Sequence, residues 1–215
     1  MILDIHTHKP YPQPIGLINL RFQPTDTCSS ELLEIKQNQF YTIGLHPWDL
    51  NLEYPDDAWA ELEKLANLQN VIAIGECGID TKIPAPLYKQ LTIFNRHIAL
   101  SENIKKPLII HAVKADDIIC GLRRDLKPTQ PWAIHGYRGK PGGAAQLIKS
   151  GCYLSFGKEF NPQTLKQIPK ERILAETDDS ETDIRSVINR LSEIRNEDLT
   201  YVIESNSEIF CNFGG

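Results

Sequence analysis

Short hydrophobic runs rich in β-branched residues alternate along this chain with longer segments in which apolar residues recur at helical spacing. This alternation of strand-like runs with segments of helical period is typical of α/β proteins with parallel strands. The hydrophobic runs predict strands at residues 2–7, 15–21, 40–45, 71–76, 107–111, 132–135, 152–156 and 173–177. The helical spacing predicts helices at residues 31–37, 56–66, 87–103, 115–125, 143–149, 163–167, 181–194 and 201–213.

Eight strands with intervening helices predict an α/β fold of the (β/α)8 TIM-barrel type, in a single domain that covers residues 1–215. Such barrels typically have about 250 residues, so a chain of 215 residues predicts a compact, shortened barrel. Prolines at positions 10, 12 and 14 exclude a helix between the first two predicted strands. An open, doubly wound sheet would accommodate the same strands, so the choice between the two folds depends on the polar residues.

Composition and charge exclude some classes of function. The chain has 41% hydrophobic residues and a mean hydropathy of −0.31, and no apolar run approaches the roughly 18 residues of a membrane-spanning helix. No secretory signal is recognisable and the five cysteines form no CxxC pair, so we expect a cytoplasmic protein without membrane contact. A net charge of −5 gives no general attraction for nucleic acid, which would have to bind through a local patch or through metal ions.

Side chains that bind metals follow the predicted strands. Three of the eight strands end on histidines and two on carboxylates, which gives six candidate ligands: His6, His8, Glu76, His111, His135 and Asp178. Because the carboxyl ends of all strands in a barrel converge on one face, these side chains would meet at one site. An open sheet would spread them apart, so their placement favours the barrel.

Two divalent metal ions are the expected cofactor. His6 and His8 are two residues apart on a strand, so their side chains point the same way and can bind one ion. Six ligands exceed what one tetrahedral zinc with an open position requires, and they suit two ions that share a bridging carboxylate. Mixed imidazole and carboxylate ligands fit zinc, manganese, nickel or iron, and fit magnesium less well.

Six short motifs run almost from end to end of the chain: DIHTH at residues 4–8, GLHP at 44–47, AIGECGID at 73–80, PLIIH at 107–111, IHG at 134–136 and ETD at 176–178. With these motifs and with Gln90, Phe94 and His97, the chain resembles the TatD family of metal-dependent deoxyribonucleases, which belongs to the amidohydrolase-like barrel hydrolases. The HxH and IGECGID elements in this order are highly specific together.

This resemblance implies a TIM-type barrel with a two-metal site that hydrolyses phosphodiester bonds in DNA. It implies that Glu76 bridges two ions, one held by His6, His8 and Asp178 and the other by His111 and His135. Glu76 and Asp178 are also the expected catalytic residues, with Asp178 as the base that accepts a proton from the attacking water.

Three further residues are expected near the substrate. His46, in the GLHP turn, is expected either to contact a phosphate or to stabilise the turn. Residues 111–114 read HAVK where the family usually has a serine and an arginine, so the basic phosphate contact is lost or moved to Lys114. Residues 135–139 read HGYRG where the family has HCFSG, which puts Arg138 close to the site. Residues 178–180 lack the proline that is usual in the family.

The sequence leaves three functional hypotheses. The first is a nuclease that cleaves DNA with divalent metal. The second is hydrolysis of a small phosphate ester, a cyclic amide or a lactone at the same site, which the acidic chain and the missing arginine favour. The third is a non-catalytic scaffold stabilised by metal, which the complete set of ligands disfavours.

Overall fold

The computed structural model of the chain describes residues 3–10, 16–22, 38–50 and 56–211, and its strands form one sheet. The eight strands are β1 (Asp4–Thr7), β2 (Gly16–Arg21), β3 (Phe40–Gly44), β4 (Val71–Asp80), β5 (Leu108–Val113), β6 (Trp132–Ile134), β7 (Tyr153–Phe156) and β8 (Ile173–Ala175). They are hydrogen-bonded in chain order, each parallel to the next. All eight predicted strands are therefore confirmed, with changes at their ends.

Helices connect most of these strands within the described residues. They are α1 (Asp56–Ala66), α2 (Leu87–Ile104), α3 (Asp116–Leu126), α4 (Pro141–Lys149), α5 (Pro162–Gln167), α6 (Ile184–Arg195) and α7 (Thr200–Cys211). The predicted helix at residues 31–37 lies outside the described residues. Helix α6 begins three residues later than predicted because the Asp183 carboxylate caps it, accepting from the N–H groups of Arg185 and Ser186. None of the described helices is long and apolar enough to cross a membrane.

The barrel closes where the first strand meets the segment that follows the last. Thr7 forms a parallel bridge with Asp178. The N–H of Asp178 donates to the carbonyl of His6 at 2.9 Å, and the N–H of His8 donates to the carbonyl of Asp178 at 3.1 Å. This closure confirms the (β/α)8 barrel and excludes the open, doubly wound sheet. It also brings residues 171 positions apart in the sequence, Thr7 and Asp178, to the same face.

Apolar side chains form a layer beneath the carboxyl-terminal face of the barrel. One buried cluster takes a residue from each of seven strands: Ile5, Leu17, Ala73, Ile109, Ala133, Tyr153 and Leu174. Ile109 and Ala133 lie two residues before His111 and His135, and alternate residues of a strand face the same side. The apolar layer therefore supports the polar side chains that follow it along the strands.

Strand β4 continues four residues beyond its predicted end at Glu76. Its pairing with β5 shifts register between Ile74 and Cys77. Gly78 has a φ of +142°, and a Cβ at this position would lie 2.2 Å from the carbonyl oxygen of His111. The predicted end was wrong because glycine here lets the two backbones approach closely, so the strand continues past the register shift.

The imidazole of His97 on α2 anchors the chain directly after β3. Its Nδ1 donates to the carbonyl of Ile93 at 2.8 Å, and its Nε2 accepts from the N–H of Leu45 at 3.0 Å. The neutral form of the ring thus uses both of its nitrogens in hydrogen bonds, one as donor and one as acceptor. Complete burial accordingly lowers the pKa of His97 to about 4.

The free energy of unfolding is expected to depend on the ionisation of His97. Because its pKa falls from 6.5 to about 4 on folding, the unfolded chain takes up the proton first as the pH falls. The stabilisation is complete above about pH 6.5 and is lost as the pH falls towards 4. Between pH 7 and pH 4, urea unfolding should show a loss about 3 kcal/mol larger in the wild type than in His97→Gln, which cannot titrate. Equal losses in the two proteins would contradict this assignment.

Candidate metal centre

The six candidate ligands converge at the carboxyl-terminal face of the barrel. His8 and His135 directly follow a strand, and Asp178 lies three residues beyond the end of β8. His6, Glu76 and His111 lie within β1, β4 and β5, before the strands end. The side chains form overlapping sets whose ligand atoms all lie within 4.8 Å of one another. Three of these sets are His6 with Glu76 and His135, His6 with His8 and Asp178, and His46 with Glu76 and His111.

The carboxylate of Glu76 lies at the centre of these sets. Its Oε1 is 2.7 Å from Nδ1 of His111 and 2.7 Å from Nε2 of His135. Its Oε2 is 3.3 Å from Nε2 of His6. The two oxygens therefore face different groups of imidazoles, which is the arrangement required of a carboxylate that bridges two ions.

His135 lies between the two groups of imidazoles that face the oxygens of Glu76. Its Nε2 is 3.3 Å from Nδ1 of His111, which the resemblance pairs with it. Its ring centroid is also 4.5 Å from that of His6, and His6, Glu76 and His135 form one candidate ligand set. His135 could therefore bind an ion on either side of Glu76.

The set His6, His8 and Asp178 has the composition expected from the sequence. Oδ1 of Asp178 lies 3.4 Å from Nε2 of His6 and 3.4 Å from Nε2 of His8. Burial alone would raise the pKa of Asp178, but its interactions with the two imidazoles hold this pKa well below the usual value. The carboxylate is therefore ionised, which is the form that binds a metal ion.

The environment of His6 fits a bound cation. Its side chain is fully buried, and among the described residues neither ring nitrogen has a hydrogen-bond partner. Burial lowers the pKa of His6, but the carboxylates of Asp178 and Glu76 outweigh burial and raise the pKa to about 9. A buried nitrogen without a partner, next to two ionised carboxylates, is the pattern that a divalent cation would satisfy.

His46 stabilises its turn, one of the two roles that its sequence motif left open, and its ring also faces the candidate ligands. Its Nδ1 accepts a hydrogen bond from the N–H of Trp48 at 3.2 Å and so stabilises the turn after β3. Its Nε2 lies 3.0 Å from Oε1 of Glu76. Burial lowers the pKa of His46, which favours the neutral ring. Because Nδ1 accepts, the neutral ring carries its proton on Nε2 and can donate a hydrogen bond into the site.

Three buried polar residues that the sequence did not single out hold the candidate ligands. Asn19 on β2 accepts from the N–H of Glu76 at 2.9 Å. Asp80 Oδ2 lies 3.4 Å from Nε2 of His111, and Glu176 Oε1 lies 3.4 Å from Nδ1 of His135. Carboxylates in this position orient metal-binding histidines and increase their basicity. For Asn19, a lone buried polar residue within β2 was the signal that could have identified it.

Lys114 and Arg138 lie at the rim and not among the candidate ligands. Both are exposed and line a groove of about 1090 Å³ that also contains His111, His135 and Asp178. Nη1 of Arg138 lies 3.2 Å from a carboxylate oxygen of the exposed Glu159. Both cations therefore lie where a molecule would enter the groove, with Arg138 paired to Glu159.

The sequence profile described as TatD related DNase matches residues 15–214. This chain belongs to the TatD family. It is 31% identical over 168 residues to the uncharacterised metal-dependent hydrolase YabD of Bacillus subtilis, covering 73% of this chain and 64% of that protein. It is 29% identical over 149 residues to the 3'-5' ssDNA/RNA exonuclease TatD of Erwinia billingiae, covering 64% of this chain and 56% of the relative. The chain thus matches less than two thirds of the length of these two TatD relatives.

Solved structures of TatD proteins have the same fold. The crystal structure of YjjV, a TatD homologue from Escherichia coli K12, superposes with a TM-score of 0.82 at 18% sequence identity. The match covers 98% of this chain and 98% of YjjV. The barrel described above is therefore the barrel of the TatD family.

Substitution of Asn19 tests whether the hydrogen bonds to Glu76 support metal binding. Asn19→Leu removes the acceptor for the Glu76 N–H, so we expect affinity for Zn²⁺ or Mn²⁺ to fall about 10-fold to 100-fold. Competition with a chromophoric chelator measures this affinity. Asn206→Leu is the matched control, because Asn206 is also buried but donates to the carbonyls of Lys170 and Ile173. An equal loss of metal affinity in both variants would contradict a specific role of Asn19 in metal binding.

Proposed function

We propose that this chain is a divalent-metal-dependent hydrolase that cleaves phosphodiester bonds in DNA. The observation that carries the proposal is the position of Glu76, whose two oxygens face His6 on one side and His111 on the other. Two ion sites that share a carboxylate suit the in-line displacement at a phosphodiester, because both the attacking and the leaving oxygen need stabilisation.

The ligand sets support two adjacent ions at the face of the barrel. His6, His8 and Asp178 would hold one ion, and His111 with His135 would hold the other, with Glu76 between them. Bound divalent ions would supply a water of lowered pKa and would neutralise charge on the phosphoryl oxygens. The ionised carboxylate of Asp178 accepts the proton from the attacking water.

The remaining polar residues suit an anionic substrate. Nε2–H of His46 faces Oε1 of Glu76 at 3.0 Å, and it would donate to a phosphoryl oxygen where a bound ion occupies that carboxylate oxygen, without adding a charge that would repel the ions. Arg138 and Lys114 supply positive charge at the rim of the groove, where the flanking phosphates of a strand would pass. The name of the Erwinia billingiae relative, an exonuclease for single-stranded DNA and RNA, supports a single strand as the substrate.

Cleavage of labelled DNA by the metal-loaded protein tests this function. With Mg²⁺, Mn²⁺ or Zn²⁺ supplied, we expect the wild type to cleave single-stranded oligonucleotides. Asp178→Asn should reduce the rate by about 100-fold or more, because it removes a base and a charged ligand together. Asp125→Asn, on the exposed end of α3, is the control and should keep the wild-type rate. Metal binding without cleavage under any of the three ions would refute the nuclease.

A small substrate is the second candidate, and the charge of the groove favours it. The groove carries four aspartates and only three lysine or arginine side chains: Asp116, Asp117, Asp178, Asp179, Lys114, Arg138 and Lys140. A long polyanion gains little from such a lining unless other contacts contribute. A panel of chromogenic phosphomonoesters, phosphodiesters and lactones would distinguish this candidate from the nuclease. A preference for monoesters or lactones would contradict the nuclease function and support a small substrate.

A further inference from the structure

Trp48 is an exposed aromatic side chain at the mouth of the candidate metal centre. It is 53% exposed, whereas Trp59 and Trp132, the other two tryptophans of the chain, are 6% and 0% exposed. It lines the same groove as His111. Its ring centroid lies 4.9 Å from that of His46, so the indole borders the ring that donates into the site.

A hydrogen bond from the ring nitrogen fixes the orientation of the Trp48 indole, and a second one fixes the backbone of this residue. Its Nε1 donates to Oδ2 of the buried Asp80 at 2.8 Å, and its backbone N–H donates to Nδ1 of His46 at 3.2 Å. The guanidinium of Arg21 lies 5.9 Å from the ring centroid. An exposed ring that is held on several sides loses little conformational freedom on binding, which is the property of a preorganised contact surface.

We propose that Trp48 is a stacking platform for a nucleobase next to the scissile phosphate of a single strand, which rests on the nuclease function proposed above. Stacking of a base on an aromatic ring is strong and tolerates any base, because every base has a π-face. Bases within a duplex are already stacked on each other and do not reach such a ring. The platform therefore selects unpaired nucleic acid.

The charge of the groove gives an independent reason for a contact of this kind. With four aspartates against three lysine or arginine side chains, the protein's own charges cannot supply the affinity by neutralising phosphates. Stacking supplies affinity that does not depend on charge. An uncharged anchor in a groove without an excess of positive side chains is consistent with a strand held by its base and oriented by its phosphate.

Fluorescence of Trp48 provides a direct test on the full, unsubstituted chain. The Mg²⁺-loaded protein is titrated with a phosphorothioate oligothymidylate, which resists hydrolysis, and with the same oligomer carrying abasic sites. Since Trp59 and Trp132 are buried, quenching by acrylamide reports mainly on Trp48. We expect the base-bearing oligomer to protect Trp48 severalfold and the abasic oligomer to leave it accessible, at equal saturation measured by anisotropy of a labelled oligomer.

Substitutions extend the test to cleavage. The wild type should cleave base-bearing single strands at least about fivefold more efficiently, in kcat/KM, than abasic ones, and Trp48→Leu should bring this preference towards unity. Trp48→Phe keeps a ring and should retain part of the preference. Tyr201→Leu is the control, since Tyr201 is 79% exposed on α7 and does not line this groove.

The outcomes separate the stacking site from the nuclease. Cleavage of DNA without a preference for bases, or full acrylamide access to Trp48 in a saturated complex, overturns the stacking site and leaves the nuclease intact. Absence of both binding and cleavage overturns both proposals. The quenching measurement uses the wild type, so it decides the question even where Trp48→Leu does not fold.

Discussion

The carboxylate of Glu76 is a buried negative charge, and the arrangement of the site depends on the need to compensate it. A carboxylate that is only 5% exposed is strongly unfavourable unless cations or hydrogen-bond donors surround it. Burial raises the pKa of Glu76, but His135 and His111 outweigh burial and hold the pKa well below its usual value, so the group stays ionised. Imidazoles and the amide of Asn19 thus surround a charge that one or two divalent cations would compensate more completely.

Only a closed barrel can assemble these partners, because they come from strands as far apart in the sheet order as β1, with His6, and β6, which His135 follows. The closure depends on a second buried carboxylate. Asp4 accepts from the hydroxyl and the N–H of Thr177 at 2.6 and 3.1 Å, and from the N–H of His6 at 3.2 Å. Asp4 therefore fixes the backbone of His6, which is a candidate ligand, and the backbone of Thr177, which precedes the candidate ligand Asp178. Closure of the fold and geometry of the site are consequences of the same contacts.

The sequence predicted the barrel and the six candidate ligands because both depend on local patterns. An apolar run that ends in a histidine identifies a strand and its functional end together, as at His135. The ends of β4 and β5 were less predictable, since the close approach at Gly78 depends on a neighbouring strand. Asn19 was missed for a related reason: its partner, Glu76, is 57 residues away, and a single polar residue within a strand carries no information about its partner. Trp48 gave no signal because its exposure is a property of the folded surface.

One residue connects the proposed contact with the substrate to the candidate ligands. Oδ2 of Asp80 accepts from Nε1 of Trp48 at 2.8 Å and lies 3.4 Å from Nε2 of His111. Asp80 is in turn fixed by Gln90 on α2, whose amide oxygen accepts from the Asp80 N–H at 2.8 Å. A carboxylate shared in this way couples the orientation of an exposed ring to that of a buried imidazole. Helix α2 therefore positions the surface that would meet the substrate and the candidate ligand beneath it as one unit.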